Sequence, residues 1–580
     1  MLLSAKVKWG ASIHRFGQKF DHGLLSARWR WRMRRTERKK TLDFAPMDSQ
    51  SWARFDDVLR IKLQQKYDSR AQTRGHIGQE KNTVTENFCV GKKKELTKEY
   101  KGLTKCVQKT MEEVVPEKKL TKKNGRNVSE KTKELYEQRA QAFAKKKPTS
   151  KERKVWNRKI NRSCRDDYRT WVSRWTERME DVNRRHDTKE IYRGVKAIRG
   201  MKKPFATKQP TLNKNGKRIS EPQELASVWA DFLQEKFSPT KLEQLRDELE
   251  ALQGCSEPGS ELNREEFDEA VKCMKNGKAA GIDTIPAEVW KNSQAANESL
   301  FQFLQVVWDK EVVPPNLAVG IFVMIHKKGS PDNCENYRCI GLLNHAYKIL
   351  TVILLRRLIK ECSEFFSDWQ AGFRKLRGCR DNILLLRVLY DQVINGDGRC
   401  LVTYIDYKAA FDSVAHKFLD TTLASAKASR KSRAIFRAIY AVASGVAKVK
   451  GTDGNIIFSR HFDIGRGVVQ GDIVSPVFFI LALDQIFQKY DKYAKGVGCG
   501  EILTLQTLGY ADDAALVEST VEEMTKRFTR LADKSLKEAD MVVRMDKTYS
   551  HHVCRGGRRR SDGRRNNEGE RQTGAHLRFL

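Results

Sequence analysis

The sequence predicts an α+β fold for the middle of the chain, residues 221–548, between a basic arm and a basic tail. Apolar residues recur there at helical spacing and alternate with short β-branched and aromatic runs bounded by glycine turns. The composition also changes at both ends of this stretch. The 580-residue chain has a net charge of +37, and nearly all of the excess lies before residue 221. Such a charge predicts a polyanionic partner, either nucleic acid or an anionic membrane face.

The arm, residues 41–220, is lysine-rich, and we expect it to be partly helical and partly disordered. Helices are predicted over residues 129–147 and 150–185. Four aromatic residues have helical spacing within the second helix: Trp156, Tyr168, Trp171 and Trp175. We favour an apolar helix face for them over base stacking, and we expect the arginines around them to meet phosphates.

The remaining elements follow from the period of the apolar pattern. Helices are predicted at residues 225–233, 264–275, 296–309, 341–360, 380–394, 475–490 and 519–539. Strands are predicted at residues 317–325, 401–406, 447–449, 456–458, 502–507, 514–517 and 541–545. Gly-Thr-Asp-Gly at residues 451–454 indicates a hairpin between the third and fourth of these strands.

Several classes of protein are disfavoured. No stretch approaches the length of apolar sequence that a transmembrane helix needs, so we expect no membrane span. The cysteines are scattered without a C-x-x-C pair, which argues for a reducing compartment and against a disulfide framework or structural zinc. The N-terminus lacks the apolar core of a secretory signal, whereas a transit peptide stays an alternative because no acidic residue precedes Asp21.

Two acidic sites stand out by their position. Asp406 ends an apolar strand, and Asp512 and Asp513 lie between two predicted strands. Carboxylates at strand ends cost free energy unless a cation meets them, and Mg²⁺ or Mn²⁺ suits oxygen ligands. If the strands are neighbours, the three carboxylates converge and two such ions would serve an in-line phosphoryl transfer. The alternative is that Asp512 and Asp513 only form a turn.

Seven segments then stand in order along the chain: GKAAGIDTIPAEVWK (277–291), IHKKGSPDNCENYRCIGLLN (325–344), QAGFRKLRGCRD (370–381), YIDYKAAFDSV (404–414), RGVVQGDIVSPVFF (466–479), LGYADDAALVE (508–518) and MDKT (545–548). In this order and at these spacings they resemble the reverse transcriptase of non-LTR (LINE-type) retrotransposons. The resemblance covers about residues 264–548. It implies a right-hand polymerase core with fingers at residues 221–395 and a palm at residues 396–548, the palm being an antiparallel sheet backed by helices.

The resemblance also implies roles for the acidic residues and one lysine. Asp406, Asp512 and Asp513 match the metal ligands, which would hold two Mg²⁺ ions, with Mn²⁺ as a substitute. Lys547 matches the lysine that protonates departing pyrophosphate; a solvated surface lysine is the alternative. The implied reaction adds dNTPs to the 3′-OH of a DNA primer on an RNA template. The oligomeric state does not follow from the resemblance.

Further residues match the nucleotide-binding positions of the family. Phe411 matches the aromatic ring that excludes a ribose 2′-OH, although ordinary core packing would also explain it. Gln470 and Gly471 match a loop near the incoming nucleotide and template, where a missing Cβ permits close approach. Lys327, or its neighbour Lys328, and Arg338 match basic fingers residues that hold the triphosphate.

The sequence departs from the common family pattern at five positions in two of these segments: Cys339, Gly341, Val469, Ile473 and Val474. Cys339 and Gly341 stand where proline and serine are usual. Val469 replaces an arginine and so removes a phosphate contact. Ile473 stands where proline is usual and Val474 where leucine is usual, and both are milder changes. Losing a proline destabilises a turn by about 0.4–1 kcal/mol.

Both ends of the chain also differ from the family, and we expect a truncation at each. Residues 549–580 lack apolar periodicity, which predicts a basic disordered tail in place of a helical thumb. Asp21 and His22, within residues 1–40, resemble the end of an endonuclease domain, but no endonuclease activity is expected. Basic runs at residues 34–40 and 145–154 favour a nuclear or cytoplasmic location.

Four functions therefore remain in competition. The first is an active RNA-directed DNA polymerase, and the second is a catalytically silent relative that only binds nucleic acid. The third is a nucleic-acid-binding protein that acts through its basic arm. The fourth is a group II intron maturase, which shares the acidic segments; the sequence around Asp406 and the block at residues 336–343 favour the LINE-type interpretation.

Overall fold

A computed structural model describes most of the chain outside its two ends. The described residues are 42–74, 85–117, 128–145, 149–185, 190–191, 194–195, 210, 216, 219, 221–238, 259–396, 398–450, 455–491, 494–499, 503–554 and 576–577. The predictions made for residues 1–40 and for nearly all of the tail beyond residue 554 lie outside them. None of the described helices is both long enough and apolar enough to cross a membrane.

The helices agree closely with the apolar periodicity. Numbered in chain order they are α1 (Ser49–Arg74), α2 (Thr85–Val114), α3 (Glu130–Lys145), α4 (Ser150–Arg184), α5 (Pro222–Phe237), α6 (Arg264–Cys273), α7 (Ala287–Asn292), α8 (Gln294–Lys310), α9 (Pro315–Ala318), α10 (His345–Glu361), α11 (Cys379–Asn395), α12 (Ala410–Ser413), α13 (His416–Ser425), α14 (Arg430–Tyr440), α15 (Ser475–Tyr490) and α16 (Val521–Ala539). Every helix predicted from the sequence is present within a few residues of its predicted bounds.

Eleven strands are described, together with a short 3₁₀ helix at Cys334–Asn336. The strands are β1 (Val319–His326), β2 (Tyr337–Leu342), β3 (Arg399–Ile405), β4 (Ser444–Lys450), β5 (Ile456–Asp463), β6 (Val497–Cys499), β7 (Leu503–Leu505), β8 (Thr507–Tyr510), β9 (Asp513–Glu518), β10 (Tyr549–Cys554) and β11 (His576–Leu577).

The larger sheet, which we call the palm sheet, has the order β11-β10-β3-β9-β8, and all of its neighbours are antiparallel. Helices α15 and α16 pack on one another, and α16 contacts β3 and β9 of this sheet. An antiparallel palm sheet backed by helices is therefore confirmed. The strand predicted at residues 502–507 is divided, since β7 pairs with β6 in a separate two-stranded sheet and only β8 joins the palm sheet.

A second sheet, which we call the fingers sheet, has the order β2-β1-β4-β5. Strands β1 and β4 run parallel, whereas the other pairs are antiparallel. The β4–β5 hairpin lies inside the range predicted as palm, yet its hydrogen bonds are to a strand of the predicted fingers. The expected boundary at residue 395 thus separates the two regions in sequence but not in the sheets.

The first two helices pack on the fingers rather than forming a separate arm. Their apolar residues belong to the same core cluster as those of the later helices: Phe55, Leu59, Leu63, Leu96, Tyr100, Leu103, Val107 and Met111. Tyr100 Oη donates to Asp283 Oδ2 at 2.8 Å, and Asp56 accepts from the backbone nitrogens that begin α8 at 3.0 and 3.2 Å. Asp56 thereby caps α8 from another helix, because the first N–H groups of a helix lack internal partners. The fold thus extends back to about residue 42.

Helices α3 and α4 form a hairpin that stands apart from this core. Only Ile160 and Val182 of α4 are buried, and neither belongs to the main core cluster. The predicted apolar face of α4 is only half-covered: Trp171 and Trp175 are partly exposed, and Tyr168 is 55% exposed. The expectation of a buried aromatic face is therefore only partly met.

The last palm strand begins later than predicted. Residues 541–545 form a loop with one bridge between Tyr407 and Val543, and the strand is β10, which pairs with β3 over six residues. Thr403 and Ser550 form a buried hydroxyl pair at 2.6 Å between these two strands. The predicted tail of residues 549–580 thus opens with a strand of the palm sheet.

Candidate active site

The register of the palm sheet brings the predicted acidic residues together. β3 pairs with β9 so that Ile405 lies opposite Ala514, which places Asp406 and Asp513 at the same end of the two strands. Strands β8 and β9 form a tight hairpin in which Tyr510 pairs with Asp513, and Asp512 lies in its turn. Strand pairing over a long sequence separation therefore places Asp406, Asp512 and Asp513 at one end of the palm sheet.

The turn that carries Asp512 is held by Gln370, a fully buried residue that the sequence did not single out. Gln370 Oε1 accepts from Ala511 N at 2.9 Å and from Gly372 N at 2.8 Å, and its Nε2 donates to Ala511 O at 3.2 Å. Ala511 has a φ of 58°, in the left-handed region that costs a non-glycine residue free energy. Gln370 thus fixes a strained turn through hydrogen bonds to both the backbone N and the backbone O of Ala511.

Glycines permit the close approach of this bracing segment. Ala371 N donates to Gly509 O and Gly509 N donates to Trp369 O, each at 2.9 Å, so residues 369–371 lie along β8. A Cβ on Gly372 would overlap Ala511 N, and one on Gly509 would overlap the ring of Trp369. The glycine of the QAGFR segment is therefore required by contact with the turn.

The three carboxylates influence each other electrostatically. Burial raises the pKa of Asp512, and the charges of Asp513 and Asp406 raise it further, while Arg338 opposes them. Burial and the charge of Asp406 likewise raise the pKa of Asp513. Asp406 Oδ2 is buried and makes no hydrogen bond. All three observations describe a site with more negative charge than its surroundings satisfy.

Two cations stand near the unsatisfied oxygen at distances beyond a hydrogen bond. Lys547 Nζ lies 3.6 Å and Arg544 Nε lies 3.9 Å from Asp406 Oδ2. The segment that carries them is tied to β3, since Arg544 N donates to Asp406 O at 2.7 Å. Lys547 is exposed to solvent, and its ammonium also lies beside the carboxylate of Asp406. Arg544 was missed by the sequence analysis, and it is visible only once the fold is known.

The donor set fits a hard divalent cation, because it consists of carboxylate oxygens, one of them buried without a hydrogen-bond partner. Among the described residues, however, no three or more His, Cys, Asp or Glu side chains are close enough to hold a metal ion as they stand. The expected convergence of three carboxylates is thus incomplete in this conformation. A bound cation would offset the burial and the mutual repulsion that raise the pKa values of Asp512 and Asp513, and it would give Asp406 Oδ2 a direct contact.

Phe411 follows shortly after Asp406 in sequence and lies on the short helix α12. Its ring stacks on that of Phe479 in α15, with the centroids 4.4 Å apart, and it remains partly exposed. Ala409, which precedes the helix, has a φ of 49°. The ring therefore packs against the core on one side and is exposed on another. This position is compatible both with ordinary core packing and with a ring that excludes a ribose 2′-OH.

The glycine-rich loop before α15 is fixed from below by a buried ion pair. Asp412 is buried, Lys236 Nζ lies 2.7 Å from its Oδ2, and Gln470 Nε2 donates to its Oδ1 at 3.2 Å. Gln470 O accepts from Gly341 N at 2.7 Å. Gly471 has a φ of 117°, and a Cβ there would overlap Gly341 O. Gln470 and Gly471 are thus held by α12 and β2, and Lys236 is a further residue that the sequence did not indicate.

Two of the departures from the family pattern touch each other. A Cβ on Gly341 would lie 2.5 Å from Val469 Cγ1, which is closer than real side chains pack. The smaller residue at position 341 therefore accommodates the branched residue at position 469. The two positions are therefore in steric contact in the loop packing, although they are 128 positions apart in sequence.

The basic fingers residues lie on the β1–β2 hairpin. Lys327 follows β1, and its N donates to Asn336 O at 2.7 Å; Arg338 pairs with Ile325 in the register of this hairpin. Burial lowers the pKa of Lys327, and the charges of Lys236 and Arg338 lower it further. Lys327 and Lys328 are both exposed, and it is the effect of the charges of Lys236 and Arg338 that places Lys327 in this cationic cluster.

The part of the chain that holds these carboxylates is similar in sequence to known proteins. Residues 325–569 match the family model described as "Reverse transcriptase (RNA-dependent DNA polymerase)". The chain is 23% identical over 321 residues to an uncharacterized 149 kDa protein of transposon TX1 from Xenopus laevis, covering 54% of this chain and 24% of that protein. It is 25% identical over 303 residues to the probable RNA-directed DNA polymerase from transposon BS of Drosophila melanogaster, covering 49% and 32%.

A third relative is the Pol polyprotein from the type-1 retrotransposable element R2 of Popillia japonica, 26% identical over 305 residues, covering 50% of this chain and 40% of that protein. The chain thus spans less than half the length of the curated relatives it matches. Among solved structures, apo telomerase from Candida tropicalis matches with a TM-score of 0.30 and 14% identity, over 48% of this chain and 52% of that one. Residues 325–569 are therefore similar to reverse transcriptases, and the relatives that match this part of the chain are proteins of transposons and retrotransposable elements.

Proposed function

We propose that the chain is an RNA-directed DNA polymerase that adds dNTPs to the 3′-OH of a DNA primer paired with an RNA template. The observation that carries the proposal is the register of β3, β9 and β8, which brings Asp406, Asp512 and Asp513 to one end of the palm sheet. The match of residues 325–569 to the reverse transcriptase family model supports it. The names of the related transposon proteins point to the same reaction.

Asp406, Asp512 and Asp513 are the residues that would hold two Mg²⁺ ions, or Mn²⁺. Bound there, the ions would supply the activation of the primer hydroxyl and the stabilisation of charge on the leaving phosphates. The chain itself provides the unsatisfied oxygen of Asp406, and Gln370 fixes the turn that carries Asp512. Most of the rate enhancement in such a site comes from positioning and electrostatics.

The cations around the site would bind and neutralise the triphosphate. Lys327 and Arg338 present charge from the fingers hairpin, and the arginine suits bidentate binding of phosphate oxygens. Lys547 holds its ammonium at the carboxylate cluster, where it would donate a proton to pyrophosphate. Phe411, backed by Phe479, would limit the room beside the sugar and so favour deoxynucleotides.

The test is primer extension on an RNA template with dNTPs and Mg²⁺, using the wild type beside Asp512→Asn. The matched control is Asp533→Asn, which removes a carboxylate from a surface ion pair on α16. Asp512→Asn should lower the extension rate at least about 100-fold, the scale of losing one electrostatic group at a reacting centre, and the control should not. RNA binding is measured for each protein. A folded wild type that binds RNA but extends no primer would leave only the silent nucleic-acid binder.

Location in the nucleus or cytoplasm is also proposed, since the basic runs at residues 34–40 and 145–154 fit nuclear import signals. A fluorescent fusion in which both runs are changed to alanine should lose nuclear enrichment. Unchanged distribution of that fusion would contradict the role of the runs.

A further inference from the structure

Helix α4 carries a straight stripe of exposed cations that the candidate active site does not use. Its members are Lys151, Lys154, Arg158, Arg162, Arg165 and Arg169, and all of them are exposed. They are three or four positions apart, so on a helix of 3.6 residues per turn they fall within an arc of about 80°. At a rise of 1.5 Å per residue the stripe is about 27 Å long.

The described residues neutralise little of this stripe. Within the described part of the chain, no ion pair involves Lys154, Arg158, Arg162 or Arg165. Arg169 has only an exposed partner, Asp166, at 3.6 Å, and such surface pairs contribute little free energy. Lone cations of one sign along a helix repel each other, so the stripe costs stability unless an anion covers it.

The stripe faces away from the helix on which α4 packs. The contacts with α3 come from other positions: Asn157 accepts from Arg139, Cys164 contacts the hydroxyl of Tyr136, and Asp167 accepts from Ser129 N. Counted around the helix, these positions lie about 100–180° from the middle of the stripe. The α3 contact therefore holds the stripe outward.

An aromatic side chain borders the stripe on one side. Tyr168 is 55% exposed, and its ring stacks on that of Trp171 with centroids 5.8 Å apart. Trp171 in turn contacts the ring of Trp175. Cations that follow a phosphate backbone beside exposed rings are the combination that binds single-stranded nucleic acid, because every base offers a face for stacking.

We propose that α4 binds a single strand of nucleic acid along its length, with phosphates on the six cations and a base against Tyr168. Successive cations are about 4.5–6 Å apart along a straight line. A duplex strand has a phosphate every 3.4 Å or so of its axis and curves away from a straight helix, whereas an unpaired strand can extend to match. No residue of α4 belongs to the candidate active site, so this surface is a second nucleic-acid site beyond the proposed function.

The test measures binding of the full chain to a fluorescent 20-nucleotide poly(U) RNA over a range of salt concentrations. The stripe variant combines Lys154→Gln, Arg158→Gln, Arg162→Gln and Arg165→Gln. The control variant combines Arg153→Gln, Lys159→Gln, Arg174→Gln and Arg184→Gln, which remove the same charge from other faces of the same helix. Circular dichroism checks that both stay helical; if one does not, the single substitutions are measured instead.

Each lost phosphate contact should reduce the slope of log K against log salt by about 0.7, so the stripe variant should lose about three units of slope. The control should lose less than about one. Equal losses in the two variants, or an unchanged slope in the stripe variant, would overturn the proposal. A single DNA strand of the same length should give the same slopes, since phosphates and not the 2′-OH make the contacts. A loss of slope in the stripe variant with only RNA, or with only DNA, would also contradict the proposal.

Base contact is tested separately. Tyr168→Ala should weaken poly(U) binding at least about fivefold with little change in slope, and Tyr168→Phe should retain the affinity, because stacking needs the ring and not the hydroxyl. Tighter binding of a duplex than of the single strand would refute the single-strand assignment. Primer extension on a short primer–template should be unchanged in the stripe variant, which separates failure of this proposal from failure of the polymerase.

Discussion

Gln370 offers the sharpest test of how the site is held, because it is fully buried and bonds to the turn that carries Asp512. Its side chain makes three hydrogen bonds, two to Ala511 and one to Gly372, in a fully buried position. Gln370→Leu keeps the approximate volume and removes all three. The variant also leaves the backbone N and O of Ala511 without these partners, at the turn that carries Asp512.

The expected loss is large on both stability and rate. A net hydrogen bond contributes about 1 kcal/mol, and a buried polar group left unsatisfied costs about 1–3 kcal/mol. Gln370→Leu should therefore lower the free energy of unfolding by about 3 kcal/mol. If the freed turn loses about 1.4–2.8 kcal/mol of transition-state stabilisation, kcat falls about 10- to 100-fold. The KM for dNTP should change little, since the cations of the fingers hairpin are untouched.

Urea unfolding and single-turnover primer extension measure the two effects. Gln488→Leu is the matched control, because Gln488 donates to Phe365 O at 2.5 Å and to Ser367 Oγ at 3.2 Å beside the same segment. It should lower stability without lowering kcat. Gln370→Glu keeps the acceptor oxygen and should recover part of the rate. A Gln370→Leu protein that is folded at the assay temperature and has wild-type kcat would refute the positioning role.

Three further outcomes are expected. Gly341→Ser should destabilise the fold by about 1–3 kcal/mol, because the new side chain would contact Val469. Adding Val469→Ala should restore most of the lost stability. Additive losses in a double-mutant cycle would show that the two positions are not coupled. Lys236→Met should cost about 3–5 kcal/mol, because it leaves the charge of Asp412 buried and unpaired, and adding Asp412→Asn should recover part of it in urea unfolding. Burial raises the pKa of Asp484 to about 7. Because this is above its unfolded value, stability should fall as pH rises through 7, and between pH 5 and 8 the wild type should lose about 2–3 kcal/mol more than Asp484→Asn; parallel pH profiles of the two proteins would contradict this.

The elements that the sequence predicted well are those whose local pattern and tertiary burial agree. β3 is apolar along nearly its whole length and is buried between β9 and β10, so its run of β-branched and aromatic residues is unambiguous. α15 is apolar on most of its surface and starts with proline in its first turn. The carboxylates follow from such strands, because a charge at the end of a buried strand is conspicuous in sequence.

Helices α1 and α2 were assigned to the basic arm, because their local sequence pattern and their tertiary burial do not agree. α2 has lysines on most of its surface, and its narrow apolar stripe of Leu96, Tyr100, Leu103 and Val107 is diluted in the composition. What fixes α2 to the fingers is contact with distant residues, as in the hydrogen bond from Gln108 Nε2 to Asp283 O at 2.7 Å. A pairing of residues 175 positions apart leaves no local signal. The charge of α2 therefore indicated its exposed surface but not its packing against the fingers.

The late start of β10 matters most, because it determines where Lys547 lies. The sequence placed a strand at residues 541–545, which would put Lys547 beyond its end. In the structure that segment is a loop, and Lys547 lies in a turn closed by Thr548 N donating to Arg544 O at 2.9 Å. The turn leads into β10, whose inward residue Ser550 pairs with Thr403 and so looks polar in sequence although it is buried. Lys547 thus reaches Asp406 from the turn between a loop that bridges to Tyr407 and the strand β10, which pairs with β3.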